Sequence, residues 1–441
     1  MKNIKKVLAV VLVLAMVLSL AACGNSASNN TPAETNTANQ ETNTTPVEKE
    51  PETVAEKIEA AQKMTEDELK EAALKELADN PSLTFNADSL TSGIKKALPK
   101  FAAKYGIDES RVAYNSKKGS EYQPKLIAAA DANTYIADFV MIQDASFLKE
   151  SMRVEGDEFL LSYTPTGEGF NIAEEDTNPQ VGVTFNKVFM WYNTVKGADR
   201  LKNVWQLTGK DGASLPGLVK QASYQSPLGE DVNMNFLIMM TSPAACEKLT
   251  AAYKSYFGKD YDANADENAA YTNIGYKFVA EFIKNVGFWH SSDSSEVKKI
   301  NEYEADGRII FAGLCKLKDY EYYKDEYKDA DNYYTKTISA AGWNTQVEGF
   351  DGFVYNMWIL IPRTAQLPYT SCLFVRYLLT EEGFNAGWGG ILGYYSANQK
   401  ISSVDGDPAL ATWKKQCLVE DVNYIDSAYV NAVKFINQQM K

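Results

Sequence analysis

The chain has 441 residues, 45% of them hydrophobic and 12% aromatic, which is enough apolar material for two domains with cores of their own. Its 58 Asp and Glu outnumber 44 Lys and Arg, giving a net charge of −14, which argues against nucleic acid or an anionic membrane surface as partner, since both are held by clustered Lys and Arg. His290 is the only histidine, so Ser-His-Asp and Cys-His sites would all have to use it and two-histidine zinc motifs are excluded.

Lys2, Lys5 and Lys6 precede an apolar run from Val7 to Leu20 that is broken only by Ser19. A bilayer-spanning helix needs about 20 apolar residues, so this run suits a signal peptide over residues 1–22 better than a permanent span. It ends in Leu20-Ala21-Ala22-Cys23-Gly24, which resembles the lipobox of bacterial lipoproteins. That resemblance implies a lipid on Cys23 as the first mature residue; the alternative is an ordinary cleaved signal followed by an incidental cysteine. Residues 23–52, rich in Asn, Thr, Ala, Pro and Glu, bury too little to fold and read as a flexible tether. As a random coil it would hold the folded part on the order of 30 Å from the membrane. No later apolar run is long enough to cross a bilayer, which leaves the lipid as the only anchor.

Residues 53–81 read as a helical extension in two pieces. Val54, Ile58 and Ala61 mark the first; Thr65-Glu66-Asp67-Glu68 is a capping box for the second, which carries Leu69, Ala72, Ala73 and Leu77 and stops at Asn80-Pro81. Its narrow apolar stripe predicts packing on the domain behind it. From Ser82 the pattern alternates between strand and helix. Leu83 to Phe85 reads as a strand, Asn86 to Ser92 as a polar loop, and Ile94 to Tyr105 as a helix ended by Gly106, kinked or started late by Pro99. Arg111 to Tyr114 is a second strand, Tyr122 to Ala130 a second helix and Ile136 to Ile142 a buried third strand. Such βαβ units make a parallel sheet whose ligands sit at the carboxyl ends of the strands. Further on, Phe236 to Met240 reads as a strand before Thr241-Ser242-Pro243, Asp260 to Asn268 as a loop, Ile274 to Val286 as a helix, Phe288 to His290 as a helix end or loop, and the tyrosine-rich stretch 319–334 as an exposed excursion.

Several motifs in this order resemble extracellular solute-binding proteins of ABC importers. They are Thr65 to Leu69, Lys125 to Ala130 leading to Ala137-Asp138-Phe139-Val140, Phe159 to Pro165, Thr184 to Asn193, Leu237 to Ala245, Glu304 to Arg308, Val347-Glu348-Gly349 and Ile361 to Ala365. The subgroup is the two-lobed class that includes ferric, thiamine, polyamine and sugar-phosphate binders. The resemblance implies an α/β periplasmic-binding-protein-like fold of type II: two lobes joined by crossing strands, with the ligand cleft between them. Lobe one would span 82–188, lobe two 189–343, and residues 344–441 would return to lobe one and add C-terminal helices. The crossings would lie near Val188 to Tyr192 and Trp343 to Tyr355.

The resemblance also implies a membrane-tethered monomer that hands a small polar organic solute to an ABC permease, with no catalysis, cofactor or metal. Some relatives hold ferric ion through a tyrosine pair after a lobe-two strand. Here that position reads Ala312-Gly313-Leu314-Cys315, with tyrosines only from Tyr320 and the pair Tyr394-Tyr395 elsewhere. Metal-ion binding is thus an alternative, as are an extracellular hydrolase and a surface adhesin. A polar solute needs hydroxyls, amides and helix starts with aromatic cover. The candidates at strand ends and crossings are Asn86, Ser89, Ser120, Gln143 and Asp144, then Trp191, Tyr192 and Asn193, then Thr241, Ser242, Trp343 and Glu348. Cys246, Cys315, Cys372 and Cys417 could form two disulfides in any of three pairings or stay as buried thiols.

Overall fold

The described residues of the computed structural model are 52–146, 148, 158–192, 201–214, 222–293, 295–296, 311–316, 338–343 and 345–441; the side chains at 120, 192, 311–316, 338 and 339 are not described. The expected signal peptide, Cys23, the expected tether up to residue 51, Asn193, the expected turn at 304–308 and the 319–334 stretch therefore lie outside the described residues, as do the side chains of Ser120, Tyr192 and Cys315.

The extension forms α1 (Val54–Gln62) and α2 (Glu66–Asp79), and each opens on a capping box, Thr53 with Glu56 and Thr65 with Glu68. Both pack on α8 (Pro368–Leu378), burying Ile58, Ala61, Leu69, Ala73 and Leu77. β1 (Phe85–Ser89), β2 (Val112–Ser116) and β3 (Phe139–Ile142) are parallel, linked by α3 (Ser92–Tyr105) and α4 (Gly119–Ala132). The expected polar loop at 86–92 is mostly strand. Its polar groups are accepted there because partners meet them: Asp138 Oδ2 accepts the Asn86 N–H at 2.9 Å, and Asp88 accepts from Asn115 Nδ2 at 2.9 Å and pairs with Lys117 at 3.2 Å. α3 continues through Pro99 from a Thr91 cap and ends at Gly106, whose φ of 71° is the left-handed cap that glycine adopts without strain.

Two long strands organise the rest. β5 (Val181–Tyr192) and β10 (Gly352–Pro362) pair antiparallel from Gly352↔Val188 to Trp358↔Val181. β3 joins β10 through Trp358 to Leu360, and β4 (Leu160–Leu161) and β11 (Tyr394–Ser396) complete that end. At the other end β8 (Phe311–Lys316) and β9 (Ile338–Ala340) pair with the C-terminal half of β5, and β6 (Ala222–Gln225) and β7 (Val286–His290) continue in the order β2-β1-β3-β10-β5-β8-β6-β7. β12 (Leu418–Val419) lies parallel to β10 at Phe353 and Val354. The result is two α/β lobes on one mixed sheet. The buried side chains form one continuous core, within which aromatic packing concentrates on Phe85, Phe101, Phe139 and Phe374 and on Trp205 with Tyr253, Phe257 and Phe278.

α5 (Asp231–Met239), α6 (Pro243–Phe257) and α7 (Ile274–Asn285) cover the second lobe, and α9 (Glu381–Trp388), α10 (Leu410–Gln416) and α11 (Val422–Gln439) follow α8. Phe236 to Met239, expected as strand, is the end of α5, and Met240 is its C-cap. Every residue from Val232 to Met239 is buried, Asn233 and Asn235 included, so no exposed polar stripe marks the helix, and the apolar run Phe236 to Met240 taken alone is indistinguishable from a buried strand by periodicity. Phe288 to His290, expected as a helix end or loop, is the end of β7, paired in parallel with β6. Cys246, Cys372 and Cys417 are free thiols, the last two buried. Among the described residues no helix is long and apolar enough to cross a membrane.

Candidate functional site

The lobes meet where β3 ends and α5 begins. Beyond Ile142 the chain places Gln143 and Asp144 opposite the first turn of α5, while α4 presents Gln123 to the same point. Gln123 Nε2 donates to Asp144 Oδ2 and, at 3.2 Å, to Asp231 Oδ2, so one amide bridges carboxylates from both lobes. Gln143 Nε2 donates to Glu230 Oε1 at 3.1 Å, and Asn235 Nδ2 donates to Asp144 Oδ1 at 3.0 Å. Ser146 adds its N–H at 3.0 Å and its hydroxyl at 2.7 Å to the same Asp144 oxygen. Gly119 permits this approach, since a Cβ there would stand 2.8 Å from Asp231 Oδ2.

The junction is electrostatically costly. Burial pushes the Asp144 carboxyl above its ordinary range, and burial together with the charges of Asp144 and Glu230 raises Asp231 to about 7. On β5 the fully buried Lys187 ammonium donates to Asn233 Oδ1 at 2.7 Å, Asp293 Oδ1 at 2.8 Å and Gln225 Oε1 at 3.4 Å, so its charge is already matched. Among the described residues the Tyr355 hydroxyl, buried near Lys187, Asp293 and Glu230, has no hydrogen-bond partner.

A search of solved structures returns this architecture repeatedly. Iron-bound HitA from Pseudomonas aeruginosa matches 81% of this chain and 99% of its own at a TM-score of 0.54 and 13% identity. The periplasmic binding protein AfuA from Actinobacillus pleuropneumoniae, with fructose-6-phosphate bound, matches 81% and 97% at 0.51 and 15%. MotA from A. tumefaciens B6, in complex with glucopine, matches 81% and 100% at 0.51 and 11%. The fold is that of the two-lobed periplasmic solute-binding proteins. No protein-family model matches the chain, and no curated protein matches it in sequence.

In this binding-protein fold the sequence candidates scatter. Gln143 and Asp144 lie at the junction itself. Ser89 ends β1 but is buried, exchanging hydrogen bonds with the Thr91 backbone in a turn. Asn86 sits within β1 and donates to Thr84 O and the Tyr135 hydroxyl, both at 2.9 Å. Ser120 falls in the first turn of α4. Trp191 is buried in the core of β5, and Trp343 is half-buried in the turn after Ala340. Thr241 and Ser242 link two helices: the Thr241 hydroxyl contacts Tyr424 at 2.8 Å, and the Ser242 hydroxyl caps α6. Glu348 accepts from Asn203 Nδ2 at 2.9 Å and from the Ser255 hydroxyl at 2.8 Å, tying a loop to α6. Gln123, Glu230, Asp231 and Asn235 were not singled out from sequence. None forms a motif, and only the approach of α5 to the end of β3 and to the start of α4 brings them to Asp144.

A groove of about 970 Å³ opens beside the C-terminal end of α5. Leu148 and Trp358 line it from the first lobe, Met239 and Ser242 from the second, and Glu420 and Tyr424 from the C-terminal segment. Among the described residues no group of three or more His, Cys, Asp and Glu side chains is arranged to hold a metal ion.

Proposed function

We propose that this protein is the substrate-binding component of an ABC importer, which captures a small polar organic solute between its lobes and delivers it, chemically unchanged, to a membrane permease. The observation that carries this reading is the junction. Two lobes of a binding-protein fold face each other through carboxylates and amides from strand ends and helix starts, the arrangement a polar solute needs and a purely structural interface seldom spends on itself. Hinge closure about a bound solute is the motion this architecture supports. A lipid on Cys23 and the tether behind it would hold the protein on the outer face of the membrane within reach of the permease.

Protein purified without dialysis, denatured and examined by mass spectrometry should release a stoichiometric small molecule, and that molecule should raise the melting temperature. Absence of any such molecule, together with no stabilisation by a broad panel of sugars, amino acids, amines and organic acids, sinks the reading. Replacing Cys23 by Ser is expected to move the folded protein from the membrane to the soluble fraction once the signal is cleaved; unchanged membrane retention argues against the lipid.

A further inference from the structure

The junction brings two carboxylates together and places no cation between them. Gln123 Nε2 donates to Asp144 Oδ2 and to Asp231 Oδ2, so the two oxygens flank one nitrogen. Asp144 is buried, and among the described residues neither carboxylate forms an ion pair. Asp231 accepts from Gln123 and from no other described group, the first amides of α4 and α5 included. The charges around the pair do not offset it. Glu230, the N-cap of α5, adds a third carboxylate and is met by the amides of Gln143 at 3.1 Å and Gln225 at 3.4 Å. Glu420, in the C-terminal segment, acts on Asp144 with the same sign. Lys187 is held by Asn233 and Asp293, and Lys117 by Asp88, while Lys118, which precedes α4, is exposed and forms no ion pair among the described residues.

When the lobes stand apart, water hydrates both carboxylates. Bringing them together removes that water and sets two negative charges on one amide. Like charges so close cannot both stay ionised without a large cost, so a proton on one of them is the least costly way to shut the junction. Burial, and after it the charges of Asp144 and Glu230, raises Asp231 to about 7 from an ordinary 3.8, which makes Asp231 the group that takes the proton. With the lobes apart, a hydrated Asp231 keeps its ordinary value. Between about pH 4 and 7, closing therefore takes up one proton, and the ratio of closed to open form falls by up to tenfold for each unit that pH rises. Above about 7 both forms are ionised and the ratio levels off.

We propose that closure of the lobes is proton-linked: the Asp144–Gln123–Asp231 junction takes up one proton from solvent as it shuts and returns it as it opens. The inference rests on the solute-binding reading for what closure accomplishes and names the regulation of that site, with solute held at lower pH and released as pH rises. Solution scattering on the whole mature protein, with no solute added and at fixed ionic strength, tests it from pH 5 to pH 8.5. The radius of gyration should rise reversibly up to about pH 7 and level off beyond it, while the far-ultraviolet circular dichroism stays constant. Asp231→Asn and Asp144→Asn each remove one charge and keep an oxygen for Gln123, so both should stay compact throughout. Glu76 and Asp351, which burial raises to about 7 and about 6, are retained in both variants, and any expansion they cause persists there. If one variant fails to fold the other carries the comparison, and if neither folds the curve of the unaltered protein decides. A radius independent of pH, or the same rise in either folded variant, overturns the inference. A solute that stays bound from pH 5 to pH 8.5 with the radius unchanged ends the proton link and leaves the solute-binding reading standing. Opening driven by pH in a protein that neither releases nor binds any solute keeps the link and ends that reading.

Discussion

Asp144 and Asp231 approach each other through a single glutamine, and their protonation sets how readily the lobes stay together. Asp231 titrates near 7 in the folded protein against an ordinary value of 3.8. The folded state therefore binds the proton more tightly than the unfolded state, and this group's penalty is absent below about pH 4, grows as pH rises, and is complete above about 7. Asp231→Asn keeps an oxygen for Gln123 and removes the charge. We expect it to raise stability at pH 8 by on the order of 1–3 kcal/mol and to flatten the dependence of melting temperature on pH between 5 and 8; an unchanged slope would show that the pair does not titrate as described. Trp191 calls for the opposite test. It is 2% exposed within the core, so Trp191→Ala should cost about 3–5 kcal/mol of stability, and the surviving folded protein should bind solute with unchanged affinity. Thermal melts and calorimetry on one preparation separate these outcomes. At this scale the sequence is informative only where position along a strand is decisive. Gln143 and Asp144 stand out because they follow a buried run, whereas Gln123 and Asp231 are ordinary helix residues until α4 and α5 touch.

Helix termini were legible because capping is local chemistry: Thr65 with Glu68, Ser242 before Pro243 and Gly106 after Tyr105 all appear where spacing predicts. α5 was not legible, since its neighbours bury every side of it and erase the polar stripe that would have marked it. The cap on α8 shows a non-local version of the same chemistry. Leu367, at its N-cap, offers no side-chain acceptor; Glu76 of α2 accepts the Tyr369 and Thr370 N–H groups at 3.2 and 2.9 Å and the Thr370 hydroxyl at 2.9 Å. Burial raises the Glu76 carboxyl to about 7 despite these donors. Glu76→Ala strips three hydrogen bonds from a buried helix start and should cost about 1–3 kcal/mol, seen as a lower melting temperature and faster protease cleavage between α1 and β1. Unaltered cleavage would mean that the extension is held by its apolar stripe alone.

Across the whole molecule, alternating strand and helix patterns up to Ile142 pointed to a parallel sheet, but the pairing of β5 with β10 joins residues more than 150 positions apart and left no local trace beyond two apolar runs. We propose that this pairing is the connection about which the lobes bend. The junction then works as a latch whose fit is set by Gly119. A valine side chain there would collide with Asp231, because even a Cβ falls 2.8 Å from its Oδ2. The atom it meets is the end of the flexible Asp231 side chain, so the carboxylate turns away from Gln123 and the junction loses that link without unfolding α4. Gly119→Val should therefore leave the far-ultraviolet circular dichroism unchanged, enlarge the radius of gyration in solution scattering, and weaken solute binding roughly tenfold, because each 1.4 kcal/mol of bias against the closed form is a factor of ten in apparent affinity. A hundredfold excess of solute over Kd, worth about 2.7 kcal/mol to the unaltered protein, should draw the variant back toward the compact state. If solute binds the variant as tightly as the parent, or binds the parent without compaction, then closure of this junction is not part of capture and the solute is held by one lobe alone.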